Sequence, residues 1–190
     1  MAYKTINPYN NELIKEYPNA TDAEISNALA LGDNLYHQWK KEPVSSRQAK
    51  LHEIADLMRQ KSEELAKVLT VEMGKLIGEA RGEVELCALI ADYFADHSEA
   101  GLQPTVIKTS AGDAQVVKEA VGVLMMVEPW NFPYYQIMRV FAPNFMVGNP
   151  MVLKHSSNTP TSAVEFEKIV KEAGAPDGLS LIHISEPTRP

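Results

Sequence analysis

Between Gly122 and Gly178 the chain alternates strand-like and helix-like segments, and this alternation restricts the possible folds more than any other feature. Gly122-Val123-Leu124-Met125-Met126-Val127 is an unbroken apolar run, the pattern of a strand buried in a parallel sheet. Pro133 is suited to the first position of a helix, and helical spacing continues from Tyr134 to Met146. Pro150-Met151-Val152-Leu153-Lys154 reads as a second buried strand. Thr159-Pro160 opens another helix, which carries Val164, Phe166, Ile169 and Val170 and stops at Gly174. Strand, helix, strand, helix implies a parallel α/β unit with right-handed crossovers. A third parallel strand is expected after Gly178, and residues 181–184 could form a short one.

The preceding residues have a different character. Residues 3–19 read as irregular or extended chain with turn signals at Asn7-Pro8 and Asn10-Asn11. Thr21 and Glu24 have the spacing of a capping box, and Ile25, Leu29, Gly32, Leu35, Tyr36 and Trp39 follow at helical intervals up to Pro43. Helices are expected over about 45–60, from about Ser62 to Gly74, and over about 77–97, the last carrying Val84, Leu86, Cys87, Leu89, Ile90, Tyr93 and Phe94. Thr105–Lys108 and Gln115–Glu119 are β-prone, and Ser110-Ala111-Gly112-Asp113 between them makes a hairpin.

Charge and composition narrow the function classes. A net charge of −7 gives no support to a nucleic-acid surface or an anionic-membrane anchor. No apolar run approaches the ~20 residues of a membrane span, and the first residues lack a secretory apolar core, so a cytoplasmic location is the expectation. Cys87 is the only cysteine, which excludes an intrachain disulfide. The closing segment 179–190 does not continue the α/β pattern and resembles a translated sequencing-library transposon adapter. It is read as a non-native read-through tail, the alternative being a natural unstructured one.

The densest chemical signal is Glu128-Pro129-Trp130-Asn131-Phe132-Pro133, between a strand and a helix. Ligands bind at the carboxyl edge of such sheets. There a side-chain amide can donate to a developing oxyanion, and prolines and aromatics stiffen the loop that presents it. A rigid core turn is the alternative. Lys154 ends the second strand, where an ammonium can reach a ribose hydroxyl or phosphate; an ordinary exposed strand-end lysine is the alternative. Cys87 sits among apolar helical residues with no base nearby and is read as a structural thiol.

This loop resembles a characteristic segment of the aldehyde dehydrogenase superfamily. Three further segments resemble that family in the same order: Val71-Glu72-Met73-Gly74-Lys75 with Glu79-Ala80, Gly148-Asn149-Pro150-Met151-Val152-Leu153-Lys154, and Ala173-Gly174-Ala175-Pro176-Asp177-Gly178. The resemblance implies an incomplete α/β aldehyde dehydrogenase fold. Its expected parts are an N-terminal helical part of the cofactor-binding domain (1–100), an oligomerisation-type hairpin (101–120), a partial Rossmann-like unit (121–178) and the tail (179–190). Asn131 is implied as the oxyanion-hole donor. Val127, Pro129, Trp130, Asn131, Lys154, Ser156 and Ser157 are implied to contact NADP or NAD. Ser157 stands where many NAD-preferring relatives carry a glutamate, and a hydroxyl, unlike a carboxylate, can donate to a 2′-phosphate. His155, where a proline is common, is read as a loop residue.

Tyr135 and Arg139 are implied to line the substrate tunnel. Arg139 lies eight residues after Asn131, about two helical turns on. Its guanidinium suits a substrate carboxylate, and the pattern Tyr134-Tyr135-Gln136-Ile137-Met138-Arg139 resembles the succinate-semialdehyde branch of the family. A surface ion-pair arginine is the alternative. The expected substrate is a small aldehyde, with no metal, nucleic acid or membrane partner, and the parent enzyme is expected to be a homodimer or homotetramer. The family's catalytic cysteine and glutamate base lie beyond residue 190, so the chain alone is expected to be inactive. Two other readings stand beside this one: a non-catalytic nucleotide-binding or scaffold domain, and a reductase that forms acyl-CoA or uses glutamyl phosphate on a related scaffold.

Overall fold

In the computed structural model, residues 3–181 are described. An antiparallel hairpin, β1 (Tyr3–Ile6) and β2 (Leu13–Tyr17), opens the chain. Of the two readings of residues 3–19, irregular or extended, the extended one holds for both strands, and they pair because Asn7 and Asn11 close the turn: Asn7 N–H donates to Glu12 O, and Asn11 takes a φ of +59°. Four helices follow: α1 (Asp22–Trp39), α2 (Val44–Gln60), α3 (Ser62–Met73) and α4 (Ile77–Leu102). The exposed hairpin β3 (Thr105–Thr109) and β4 (Gly112–Val116) comes next, then β5 (Leu124–Val127), α5 (Pro133–Val147), β6 (Met151–Lys154), α6 (Pro160–Glu172) and β7 (Ser180–Leu181).

Local signals fix most element ends. Thr21 and Glu24 form the capping box, with Glu24 N–H on Thr21 Oγ1 (3.2 Å) and Thr21 N–H on Glu24 Oε2 (2.7 Å). Pro133 and Pro160 each start a helix. Gly148 ends α5 at φ +99°, a left-handed conformation that favours glycine.

β5, β6 and β7 form a parallel sheet in that order. Side chains alternate across it. On one face Met126, Met151 and Leu153 join the main core with Phe141, Phe145 and Phe166 of α5 and α6. On the other, Val152 packs on Ala28 of α1. β6 is thus covered on both sides and fully buried. β5 is not: Met125 and Val127 share the face of Val152, α1 does not reach them, and they stand 56% and 59% exposed. The expectation of a fully buried first strand fails on that face. Leu86, Leu89 and Tyr93 of α4 are likewise exposed, the stripe that faces the core being Val84, Cys87, Ala88, Ala91 and Ala95.

Gly178 returns the chain to the sheet at φ +114°, where a Cβ would lie 2.9 Å from the Leu31 carbonyl of α1. The third strand expected after it is present over Ser180–Leu181. The remainder of the tail reading falls on residues 182–190, outside the described residues.

A second helical layer, α2, α3 and α4, packs against α5 and α6, with Leu51, Ile54, Met58, Leu69, Val84 and Cys87 wholly buried in the shared core. Each such Leu or Ile contributes about 1.5–3 kcal/mol. The polar groups buried in this layer hold α5 and α6 in place. Glu83 of α4 accepts the Tyr134 and Tyr135 N–H groups at the start of α5 (2.9 and 3.1 Å). Arg47 of α2 donates to Met146 O at the end of α5 (3.2 Å) and to Trp39 O at the end of α1 (3.4 Å). An anion at the positive end and a cation at the negative end both favour α5. Glu72 of α3 caps α6 in the same way, accepting Thr161 N–H (2.6 Å), Ser162 N–H (2.9 Å) and the Thr5 hydroxyl (2.7 Å).

Candidate active site

The ends of β5 and β6 lie side by side in register, Val127 opposite Lys154, and the two loops that leave them are tied together. Glu128 N–H donates to Lys154 O (3.1 Å). His155 is wholly buried: its Nδ1 accepts the Ser156 N–H (2.7 Å), which leaves Nε2 as the donor to Pro133 O (3.1 Å). His155 is therefore more than a loop residue; it ties the second loop to the first turn of α5 as a neutral ring.

On this base Pro129, Trp130, Asn131 and Phe132 all stand exposed at the carboxyl edge of the sheet. Asn131 does not turn into packed interior. Its backbone carbonyl takes a hydrogen bond from Lys75 Nζ (3.3 Å), and the same ammonium sits 3.8 Å from the centre of the Phe132 ring and forms a buried ion pair with Glu83. Phe132 in turn meets Tyr135 edge to face at 6.0 Å. The loop is thus rigid behind and open in front.

Trp130 and Ser157 line a common cleft with Lys4, Ile6, Pro8 and Asn158, so the first hairpin borders the candidate cofactor region, a contribution that sequence reading did not assign. Ser157 is exposed, whereas Ser156 is half-buried with its hydroxyl on Asn158 Oδ1 (2.6 Å). Lys154 is only 4% exposed, unlike an ordinary strand-end lysine. Tyr135 is half-buried and Arg139 exposed, one on the first turn of α5 and the other further along it. Cys87 has no exposed surface, and burial pushes its thiol well above the ordinary range. No group of three or more His, Cys, Asp or Glu side chains among the described residues could hold a metal ion. No helix among them is long and apolar enough to cross a membrane.

Glu128 went unassigned from sequence. It is 7% exposed, and burial raises its carboxyl to about 7, an effect that the positive charge of Arg139 partly offsets. The folded value lies above the unfolded one, so the stability this group gives is complete below about pH 4.5 and is lost as pH rises through about 7. Glu128→Gln is therefore expected to be more stable than the unaltered chain at pH 8, by on the order of 2 kcal/mol, and no more stable at pH 4.5. Urea unfolding at the two pH values measures this; an unchanged difference between them would remove the titration of Glu128 as a cause.

The aldehyde dehydrogenase family model matches residues 1–186. This chain belongs to the aldehyde dehydrogenase family. Among its relatives, the NADP(+) succinate-semialdehyde dehydrogenase of Deinococcus radiodurans is 42% identical over 176 residues, 93% of this chain and 37% of that protein. The crystal structure of succinic semialdehyde dehydrogenase from Streptococcus pyogenes, in complex with NADP+, superposes with a TM-score of 0.95 at 50% identity, over 97% of this chain and 41% of that one. An NAD-dependent benzaldehyde dehydrogenase from Corynebacterium glutamicum shares the fold at TM-score 0.88 and 28% identity. The chain thus spans about two-fifths of the length of these aldehyde dehydrogenases. The last comparison also separates fold from substrate, since an aromatic aldehyde is handled on the same scaffold.

The residues of the family segment around Glu72, Lys75 and Glu79 divide by position. Glu72 caps α6 and Lys75 backs Asn131, but Glu79 is exposed, and the acid that works on the loop is Glu83, one turn later. An acid at the end of an apolar stripe was the available signal for Glu72. Glu83 had none beyond its neighbour Val84, because the α5 amides that it caps lie about fifty residues away.

Proposed function

We propose that this chain supplies the oxyanion-stabilising loop and part of the cofactor site of an NADP- or NAD-dependent dehydrogenase that oxidises succinate semialdehyde to succinate. The observation that carries the reading is the exposed Asn131 on a braced loop at the sheet's carboxyl edge, with the exposed guanidinium of Arg139 further along the helix that the loop opens. The succinate-semialdehyde dehydrogenases among its relatives support the substrate class.

A small aldehyde with a carboxylate at its far end needs two recognition groups. The Asn131 side-chain amide donates to the carbonyl oxygen as it gains charge on nucleophilic attack. Arg139 pairs with the distant carboxylate and sets which aldehyde fits. The groups at the end of β6 fit a dinucleotide: an ammonium on Lys154 and an exposed hydroxyl on Ser157, with the Ser156 hydroxyl oxygen left as an acceptor and no carboxylate at 157 to repel a 2′-phosphate. When bound, the nicotinamide cofactor supplies the hydride acceptor. The exposed Trp130 and Pro129 would offer the cofactor an apolar wall. Cys87 supplies no nucleophile, being sealed in the core. The dehydrogenase reading therefore places the attacking thiolate and the general base outside these residues, and the chain alone turns over no aldehyde.

The substrate assignment is tested in the complete dehydrogenase carrying this segment. Arg139→Leu is expected to raise KM for succinate semialdehyde by about 30–300-fold, the loss of a charge-assisted pair, while KM for an uncharged aldehyde of similar length changes by less than about threefold. Equal effects on both aldehydes would remove the carboxylate role and leave Arg139 as a surface ion-pair residue.

A further inference from the structure

Behind the loop that carries Asn131 lies a buried charge arrangement that touches neither substrate nor cofactor in the proposed function. Glu83 is bound to the first amides of α5 through one oxygen and to Lys75 through the other. Both side chains are withdrawn from water, at 1% and 7% exposure. A carboxylate at a helix start helps the fold, because it satisfies free N–H groups. It also cancels the positive end of the helix, and that end lies beside Asn131, where negative charge would develop. A lone Glu83 would stabilise α5 while opposing an oxyanion. Lys75 removes the conflict. Its ammonium neutralises Glu83, adds a positive centre on the Asn131 side of the pair and holds the Asn131 carbonyl and the Phe132 ring.

We propose that Lys75 is a positioning residue for the oxyanion site: it neutralises the buried Glu83 cap and braces the Asn131 backbone, so that the α5 amino end keeps its attraction for a developing negative charge. The inference rests on the reading of Asn131 as the oxyanion donor. It divides the pair by role, Glu83 serving the fold and Lys75 the charge balance.

Four variants of the complete dehydrogenase test it. Lys75→Met leaves the Glu83 charge uncompensated and is expected to lower kcat by about 10–100-fold with KM within about threefold. Lys75→Gln, which keeps a donor for the Asn131 carbonyl but loses the charge, is expected to fall at least about tenfold. Lys75→Arg restores most of the rate. The double variant Lys75→Met/Glu83→Gln has no net charge behind the helix and is expected to recover at least about fivefold in kcat over Lys75→Met, although the ion pair is gone. A purely structural pair predicts the opposite order, with the double variant the worst. That order, or an unchanged kcat in Lys75→Met and Lys75→Gln, overturns the inference, as does failure of Lys75→Met and Lys75→Gln alike to fold. An Asn131→Ala control separates the two levels. If that control keeps its rate, the oxyanion reading itself is wrong. If it loses the rate and the Lys75 variants do not, only the role of Lys75 is wrong.

Discussion

Asn131→Ala in the complete dehydrogenase is expected to lower kcat by about 10²–10³-fold, the cost of removing one preorganised donor from an oxyanion site. KM should change little, because the donor acts on charge that grows only as the carbonyl is attacked. The fold should be unaffected, since the described contact that Asn131 makes with its surroundings runs through its backbone carbonyl, which alanine retains. Asn131→Asp is a sharper version. It is nearly isosteric, but it replaces a donor by a carboxylate that repels the developing oxyanion, so its loss should equal or exceed that of alanine. Steady-state kinetics with thermal unfolding in parallel decide the matter. A fall of less than about fivefold in kcat for alanine would leave this loop as a rigid turn without chemistry.

Glu72→Ala is expected to cost about 3–5 kcal/mol of stability in the 190-residue chain, measured by urea or thermal unfolding. The carboxylate accepts two backbone N–H groups of α6 and the Thr5 hydroxyl, so alanine strands several buried donors at once. Thr5 is itself 2% exposed and bonded to Thr161 (2.5 Å), which joins the first hairpin to the same cap. Burial raises the Glu72 carboxyl despite these donors, so its ionisation already carries a desolvation cost. Glu72→Gln keeps one acceptor oxygen and avoids that cost, and it should lose only about 1–2 kcal/mol. The gap between the two substitutions distinguishes a lost acceptor from a lost charge. Equal losses would assign the effect to packing.

These two residues differ in how visible they are from sequence. Asn131 stands in a dense local pattern, a strand, two prolines, two aromatics and a helix, all within a dozen residues. That pattern alone places it at a sheet edge. Glu72 reads as the close of an amphipathic helix, and its target lies 89 residues away at the start of α6. The same distance effect hides Glu83 behind the more conspicuous Glu79, one turn away on α4. Only the docking of α4 against α5 selects which acid is buried.

By itself the sequence determined the order of elements from α1 to α6, the capping box of α1, the parallel strand–helix alternation and the loop that carries Asn131. Each depends on neighbours within a few residues: Thr21 with Glu24, Pro133 and Pro160 at helix starts, Gly74 at a helix end. Tertiary structure alone decided the exposed face of β5 at Met125 and Val127, the neutral buried ring of His155, and the carboxylates and ammonium that anchor α5 and α6. Those features arise where distant segments exclude water from one another. Burial and charge compensation are set there by what packs against a residue, which its own local pattern does not encode.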